Sequence, residues 1–348
     1  MNRDAAAGLA SLFFLRGKIA VMKFLIAILL LASLGCGPAM DANNMVRNTN
    51  SGNSNTSPSP TPDISPTLAA IASESQGKVG VHAVLIETGE TVSHSSADSF
   101  AMQSVVKLPI SMAVLKMVEE GKLTLDEQIA FTKAEILPGN MRSPIREKFP
   151  NGGELPVRDL IRHAMVESDG TAADVLQRIA GGAAGVQKFV DGLGVQGMKI
   201  VHSHMEFSKV WERQYENAVT PEAATALLIA FHRSTTAGRG SGEISETSMP
   251  PLRADLADML LGFMLETPTG PNRLKGELPQ GTQVAHKTGT GGSRDGVTFA
   301  TNDAGVIKLP DGRHIAIAVF VGDSRGDETT RERAIARSAK AVFDRFNR

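Results

Sequence analysis

The sequence predicts an α/β (α+β) fold: an antiparallel five-stranded sheet flanked by helices, with an all-helical subdomain carried between its strands. Three observations predict it. Apolar residues alternate at Val79, Val81, Ala83 and Leu85, and Thr88-Gly89 then turns the chain into 90–94, the pattern of a hairpin. Stretches 284–288, 296–308 and 313–321 read as three more strands, the last two joined by an Asp311-Gly312 turn. Between these two groups the periodic segments are helical. Strands from the ends and helices from the middle imply a sheet with helices packed on it and a separate helical region. Hydrophobic residues make up 42% of the 348 positions, ample for a packed core, and no internal repeat interrupts the pattern.

The chain begins with a segment that reads as an export signal. Met22-Lys23 is followed by an apolar run, 24–31, and then by Ala32-Ser33-Leu34-Gly35-Cys36. The run is short for a membrane span. Cys36 is the single cysteine, so no intramolecular disulfide can form. Its place after Gly35 is similar to bacterial lipoprotein signals, in which the cysteine becomes the lipidated first residue. Ordinary cleavage without lipid is the alternative, and Met22 is a candidate initiator. Residues 1–35 are thus assigned as signal. Residues 36–66, rich in Asn, Ser, Thr and Pro, lack the apolar surface to order themselves and read as a tether. The folded domain is expected over 67–348, its α/β part at 67–120 and 280–348 and its helical part at 121–279.

Within the domain a short helix is expected at 67–76, followed by the hairpin. A central helix is expected at 104–120, stopped by Gly121 and bent by Pro109. From 125 to 174 the pattern is helical with long connections. Stretch 136–153, with three prolines and three glycines, reads as an exposed loop. Helices follow around 157–161 and 171–176, the second stopped by Gly181-Gly182, and another at 186–193. Stretch 199–219 is polar and aperiodic and reads as a loop packed on the core. Helices are expected at 221–232 and 255–264, with a mobile Gly/Ser/Thr-rich stretch at 234–251 between them. A helix over 329–346 ends the chain.

The chemistry starts at Ser104-Val105-Val106-Lys107. On a helix, positions i and i+3 share a face, so the Lys107 amine can reach the Ser104 hydroxyl. A free serine is a poor nucleophile at neutral pH and needs an adjacent base. A helix start adds unpaired N–H groups suited to a developing oxyanion. Alone, the pattern also fits a helix cap followed by a solvent-facing lysine. Two further short motifs accompany it: Ser168-Asp169-Gly170 at a junction between helices, and Lys287-Thr288-Gly289-Thr290 at the end of a strand.

In this order and on these elements the three motifs resemble the class A serine β-lactamases, a family related to the penicillin-binding proteins. Phe100-x-Met-x-Ser104, the phrase beginning Thr269-Gly-Pro-Asn-Arg273, and Asn302-Asp303 extend the resemblance, which covers the chain from about residue 67 onward. The resemblance implies a β-lactamase/transpeptidase-like fold and hydrolysis of the β-lactam amide through a serine acyl-enzyme. It implies Ser104 as nucleophile, Lys107 as its proton partner, and Ser168 with Lys287 as the relay toward the leaving nitrogen. The N–H groups of Ser104 and Thr290 would form the oxyanion hole. Gly170, Thr288, Gly289 and Thr290 fall in the substrate-binding positions. Two departures stand out. The family usually has Asn where Gly170 stands, a side chain that holds the substrate's acylamino group. The family's deacylating glutamate is matched to Glu206, with Glu212 as the alternative, in a segment about two residues short of the family pattern.

Other candidates carry less. His202 and His204 lack a fixed third metal ligand and read as polar loop groups. Arg294 and His314 are options for charge beside a substrate carboxylate, and Arg273 and Lys275 read as structural. No metal or cofactor is expected. The near-neutral charge of −1 and an aromatic content of 5% argue against nucleic acid as a partner. The expected partners are small β-lactams, and the membrane through a lipid on Cys36. The expected protein is a monomer exported to the periplasm or cell surface. The competing readings are a penicillin-binding D,D-peptidase and a non-turnover cell-wall binding module.

Overall fold

The computed structural model describes residues 63–239 and 250–348. The signal segment, Cys36, nearly all of the tether and most of the stretch expected to be mobile lie outside them.

Helix α1 (Ser65–Glu74) starts two residues earlier than expected, because Pro66 is compatible with a first turn. Strands β1 (Lys78–Leu85) and β2 (Glu90–His94) form the hairpin, with Gly89 at a positive φ of 73° in the turn. The short β3 (Phe100–Ala101) leads into a 3-10 turn, Gln103–Val106, and α2 (Lys107–Glu119) follows. Pro109 is therefore the third residue of α2. Its missing N–H would have had no partner within the helix, so the expected bend loses its cause. Residues 107–115 of α2 are buried on every side, as befits the central helix of a bundle.

The region that follows is not purely helical. Strand β4 (Gln128–Thr132) buries Ile129 and Phe131 alternately and pairs with β5 (Gly152–Pro156), a period of two that the sequence shows and the helical reading passed over. Between them, short α3 (Ile145–Lys148) interrupts what was expected to be an exposed loop. Leu137, Ser143 and Ile145 are buried there. The Asp169 carboxylate holds the loop inward by accepting from Ser143 Oγ (3.2 Å) and the Ile145 N–H (2.7 Å). Then come α4 (Val157–Met165), α5 (Gly170–Ile179) and α6 (Gly182–Gly192), with left-handed Gly181 separating the last two.

The stretch expected to be a loop at 199–219 contains β6 (Met198–Lys199), α7 (His204–Lys209), a 3-10 turn (Trp211–Tyr215) and β7 (Ala218–Val219). Strands β3, β7 and β6 form a small second sheet. Buried Asn217 closes the stretch on itself, accepting from the N–H groups of Val201 and His202 (2.9 Å each) and donating to the His202 carbonyl (2.8 Å). Helices α8 (Pro221–Ser234), α9 (Thr236–Arg239) and α10 (Ala254–Glu266) complete this region.

Strands β8 (Val284–Thr290), β10 (Val297–Lys308) and β11 (His314–Ser324) join the hairpin in the order β2-β1-β11-β10-β8, all antiparallel, as expected. A two-residue β9 (Ser293–Arg294) pairs with β10 as a sixth strand. Helix α11 (Glu328–Phe346) ends the chain. Central β11 is apolar without alternation because both faces are covered. Ile315, Ile317, Val319 and Val321 pack in one core with Leu68 of α1 and Ile335 and Phe343 of α11. Ala316, Ala318 and Phe320 pack in the other, with α2 and α8.

Candidate active site

A cavity of about 460 Å³ lies where α2, the Ser168 turn and the end of β8 meet. Ser104 lines it from the 3-10 turn before α2. The turn runs straight into α2, with the Lys107 N–H bonded to the Ser104 and Val105 carbonyls. Gln103, just before it, has a positive φ of 49°, an unusual conformation for a residue with a side chain. Strand β8 passes close behind. A Cβ at Gly289 would stand 2.9 Å from the Met102 carbonyl oxygen, so glycine is what lets the strand approach the serine turn. Asn302 on β10 ties the same turn down by donating from Nδ2 to the Ala101 carbonyl at 2.8 Å.

Lys107 Nζ donates to Ser104 Oγ at 2.8 Å and to the Ser168 carbonyl at 2.8 Å, with Ser168 Oγ 3.4 Å away. From the opposite side Lys287 Nζ donates to Ser168 Oγ (2.9 Å) and to the Thr288 carbonyl (3.0 Å). Ser168 stands between the two amines at a left-handed φ of 58°, which turns both its carbonyl and its hydroxyl toward them. Asp169 next to it caps α5 by accepting from the Ala172 N–H at 2.8 Å.

Both lysines are buried, at 1% and 0% exposure. Burial disfavours the charged amine and brings Lys107 down from 10.5 to about 7, against the opposing pull of Asp169 and Asp174. Burial, reinforced by the nearby Lys107, puts Lys287 well below its usual value. An amine near neutrality, 2.8 Å from a serine hydroxyl, can take that hydroxyl's proton at physiological pH.

Thr288 and Thr290 line the cavity, and Thr269 joins them with its Oγ1 2.6 Å from Thr288 Oγ1. Buried Arg273 braces this rim from behind. It donates to the carbonyls of Gly289 (3.2 Å) and Asn302 (3.1 Å) and to Thr290 Oγ1 (2.9 Å), and it pairs with Glu332 at 3.0 Å. Lys275 donates to the Thr267 carbonyl, so both residues are structural, as read from the sequence.

Several expected site residues lie elsewhere. Glu206 does not line the cavity. Its carboxylate accepts from the Ser203 N–H at 2.8 Å while Ser203 Oγ accepts from the Glu206 N–H, a capping box that closes the first turn of α7. With its side chain 48% exposed, it faces solvent. Glu212 is 71% exposed and pairs with Arg294, and His314 pairs with Glu87 at 2.8 Å, so none of these three reaches the cavity. Gly170 is also outside its lining. Its N–H is bonded to the Arg142 carbonyl, and a Cβ there would stand 2.3 Å from Leu137 Cδ1. His202 and His204 bond to different carboxylates, Glu216 and Asp174.

His204, read as a polar loop group, does line the cavity, with Asn140, Arg142 and Gln214. Nothing local marked it, since its partner Asp174 stands on another helix.

Comparison with known proteins shows the family. The model of the β-lactamase enzyme family matches residues 63–346. The chain is 36% identical to β-lactamase VEB-1 of Pseudomonas aeruginosa over 77% of this chain and 85% of that protein. A β-lactamase structure from Chitinophaga pinensis superposes with a TM-score of 0.74 at 41% identity, covering 80% of this chain and 97% of that one. A class A representative from Bacteroides cellulosilyticus gives a TM-score of 0.73 at 28% identity, covering 83% and 98%. The chain belongs to the β-lactamase enzyme family, as a serine β-lactamase of class A.

Proposed function

We propose that the chain hydrolyses the amide of the β-lactam ring through an ester on Ser104. The observation that carries this reading is the buried Lys107 amine, 2.8 Å from the Ser104 hydroxyl and near neutrality. Lys107 takes the proton as Ser104 Oγ bonds to the ring carbonyl carbon. The N–H groups of Ser104 and Thr290 receive the oxyanion. The ring C–N bond breaks, and its nitrogen gains a proton from the Ser168 hydroxyl, which the ammonium formed on Lys107 resupplies across 3.4 Å while Lys287 holds Ser168 Oγ from 2.9 Å. The hydroxyls of Thr288, Thr290 and Thr269 suit the substrate carboxylate. The position usually used for the acylamino group offers only Gly170, so that group must be held by other cavity residues, such as the carboxamides of Asn140 and Gln214.

The test combines turnover of a chromogenic cephalosporin with intact-mass and peptide mapping after brief mixing. Repeated turnover and a transient adduct on the Ser104 peptide, absent from Ser104→Ala, are expected. A wild-type protein that stalls after one equivalent is a penicillin-binding protein instead.

We further propose that the signal ending at Gly35-Cys36 leaves a lipid on Cys36, with the tether spanning roughly 30 Å between membrane and domain. This places the domain in the periplasm or at the cell surface. Cys36→Ser should move the protein to the soluble fraction, and unchanged fractionation would sink the idea. All the groups named come from one chain, which favours a monomer. A single species of monomer mass in solution checks it.

A further inference from the structure

Release of an acyl-serine requires a base that takes a proton from the attacking water, yet no carboxylate is among the described residues that line the cavity. Lys107 is already committed to Ser104 and Ser168. The remaining lining side chain able to accept a proton at neutral pH is His204.

The structure holds this imidazole in one orientation and one tautomer. Its Nδ1 is 2.8 Å from Asp174 Oδ1, and the same carboxylate accepts from the His204 N–H (2.8 Å) and, through Oδ2, from the Met205 N–H (2.8 Å). A carboxylate can only accept, so Nδ1 carries the proton and Nε2 carries the lone pair. The ring is 4% exposed and packs on Phe207 with centroids 5.0 Å apart. It also stands beside the Ser168-Asp169-Gly170 turn, where a Cβ at Gly170 would lie 3.7 Å from His204 Cδ2. Nε2 has no hydrogen-bond partner among the described residues. A buried ring nitrogen without a partner, on a side chain that lines the serine's own cavity, calls for a ligand from outside the chain.

We propose that His204, oriented by Asp174, is the base that activates the water hydrolysing the Ser104 ester. Nε2 takes a proton from water as its oxygen bonds to the ester carbonyl carbon. The bond from that carbon to Ser104 Oγ then breaks, and the imidazolium returns the proton to the departing serine oxygen. Burial outweighs the attraction of Asp174 and Asp169 and, with Lys107 nearby, holds His204 below its ordinary value, so the ring is a free base at neutral pH. A histidine held by an aspartate here takes the task that the sequence pattern assigns to Glu206. The inference rests on the Ser104 acyl-enzyme proposed above.

Two variants test it by rapid-mix kinetics with a chromogenic cephalosporin. His204→Asn keeps a donor for Asp174 but removes the Nε2 lone pair, and His204→Gly leaves room for free imidazole. Acylation is expected within about threefold of wild type. Deacylation is expected to slow by ~10²–10⁴-fold, so the Ser104 adduct accumulates after a full burst. Imidazole should restore release in His204→Gly. Unchanged turnover in His204→Asn overturns the proposal. So does equal slowing of both steps without imidazole rescue, which marks a purely structural side chain. A wild-type protein that forms no Ser104 adduct refutes the underlying acyl-enzyme reading, and one that never releases the adduct refutes hydrolysis, before either variant is needed.

Discussion

The two walls of the cavity are built differently. On one, the amines of Lys107 and Lys287 and the hydroxyl of Ser168 bond to one another and to backbone carbonyls, so each amine has at least two partners. On the other, α7 presents a histidine with one nitrogen tied to Asp174 and the other unpaired. The first wall is complete without substrate, and what it stores is a depressed amine pKa beside a nucleophile. The second is incomplete, and leaving a buried polar atom unpaired costs about 1–3 kcal/mol. A fully paired wall suits the step whose reactants are a protein group and a bound ring. An open nitrogen suits the step that must recruit water.

The sharpest way to break this contrast is to disable the paired wall. Lys107→Met is expected to slow adduct formation on Ser104 by ~10²–10⁴-fold, the usual weight of a general base. It should not lower the melting temperature, because a thioether needs no hydrogen bonds in that buried position and the amine does. Rapid quench with mass detection and calorimetry read the two quantities. Fast acylation in Lys107→Met would move the base elsewhere.

A smaller effect separates the walls by pH. A base works unprotonated, so acylation should rise with pH through about 7 as Lys107 loses its proton. The groups facing Lys107 are Ser104, Ser168, Asp169, Asp174, Arg142, Lys287 and His204. His204, with a lower starting value pushed further down by burial, stays unprotonated at a more acid pH. Deacylation should therefore keep its rate at pH values where acylation has already fallen. Single-turnover rates for each step across the range from mildly acid to mildly alkaline test this, and coincident acid limbs would remove the distinction.

The smallest effect belongs to Glu206. Glu206→Ala removes half of a capping box on a half-exposed helix start, so stability should fall by up to about 1 kcal/mol in chemical denaturation. Turnover should be unchanged. A variant that acylates and then stalls would return the deacylating role to Glu206 and take it from His204.

The placement of Glu206 outside the cavity lining has a physical origin. Ser203-x-x-Glu206 is a capping signature written locally, and it was available in the sequence. A shift of two residues along a short helix exchanges a solvent-facing side chain for a buried one, and motif spacing in a segment of altered length cannot resolve that. Strand β4 was missed for a related reason. Its alternation of Ile129 and Phe131 is only five residues long, and its partner β5 lies beyond a long connection.

What the sequence determined by itself is what short-range geometry decides. The hairpin of β1 and β2, the strands of β8, β10 and β11, the helix stop at Gly181 and the reach of Lys107 to Ser104 all follow from periodicity, turn residues and i to i+3 spacing. The order of three short motifs was enough for the family. Only the tertiary structure decided the rest. Ser168 meets Lys107 from 61 residues away and Lys287 from 119, and the pKa values of both amines come from burial by segments scattered along the chain. His204 meets Asp174 across 30 residues, and Asp169 draws Ser143 inward across 26. Desolvation and pairing depend on which surfaces meet after packing, and no local stretch of sequence carries that information.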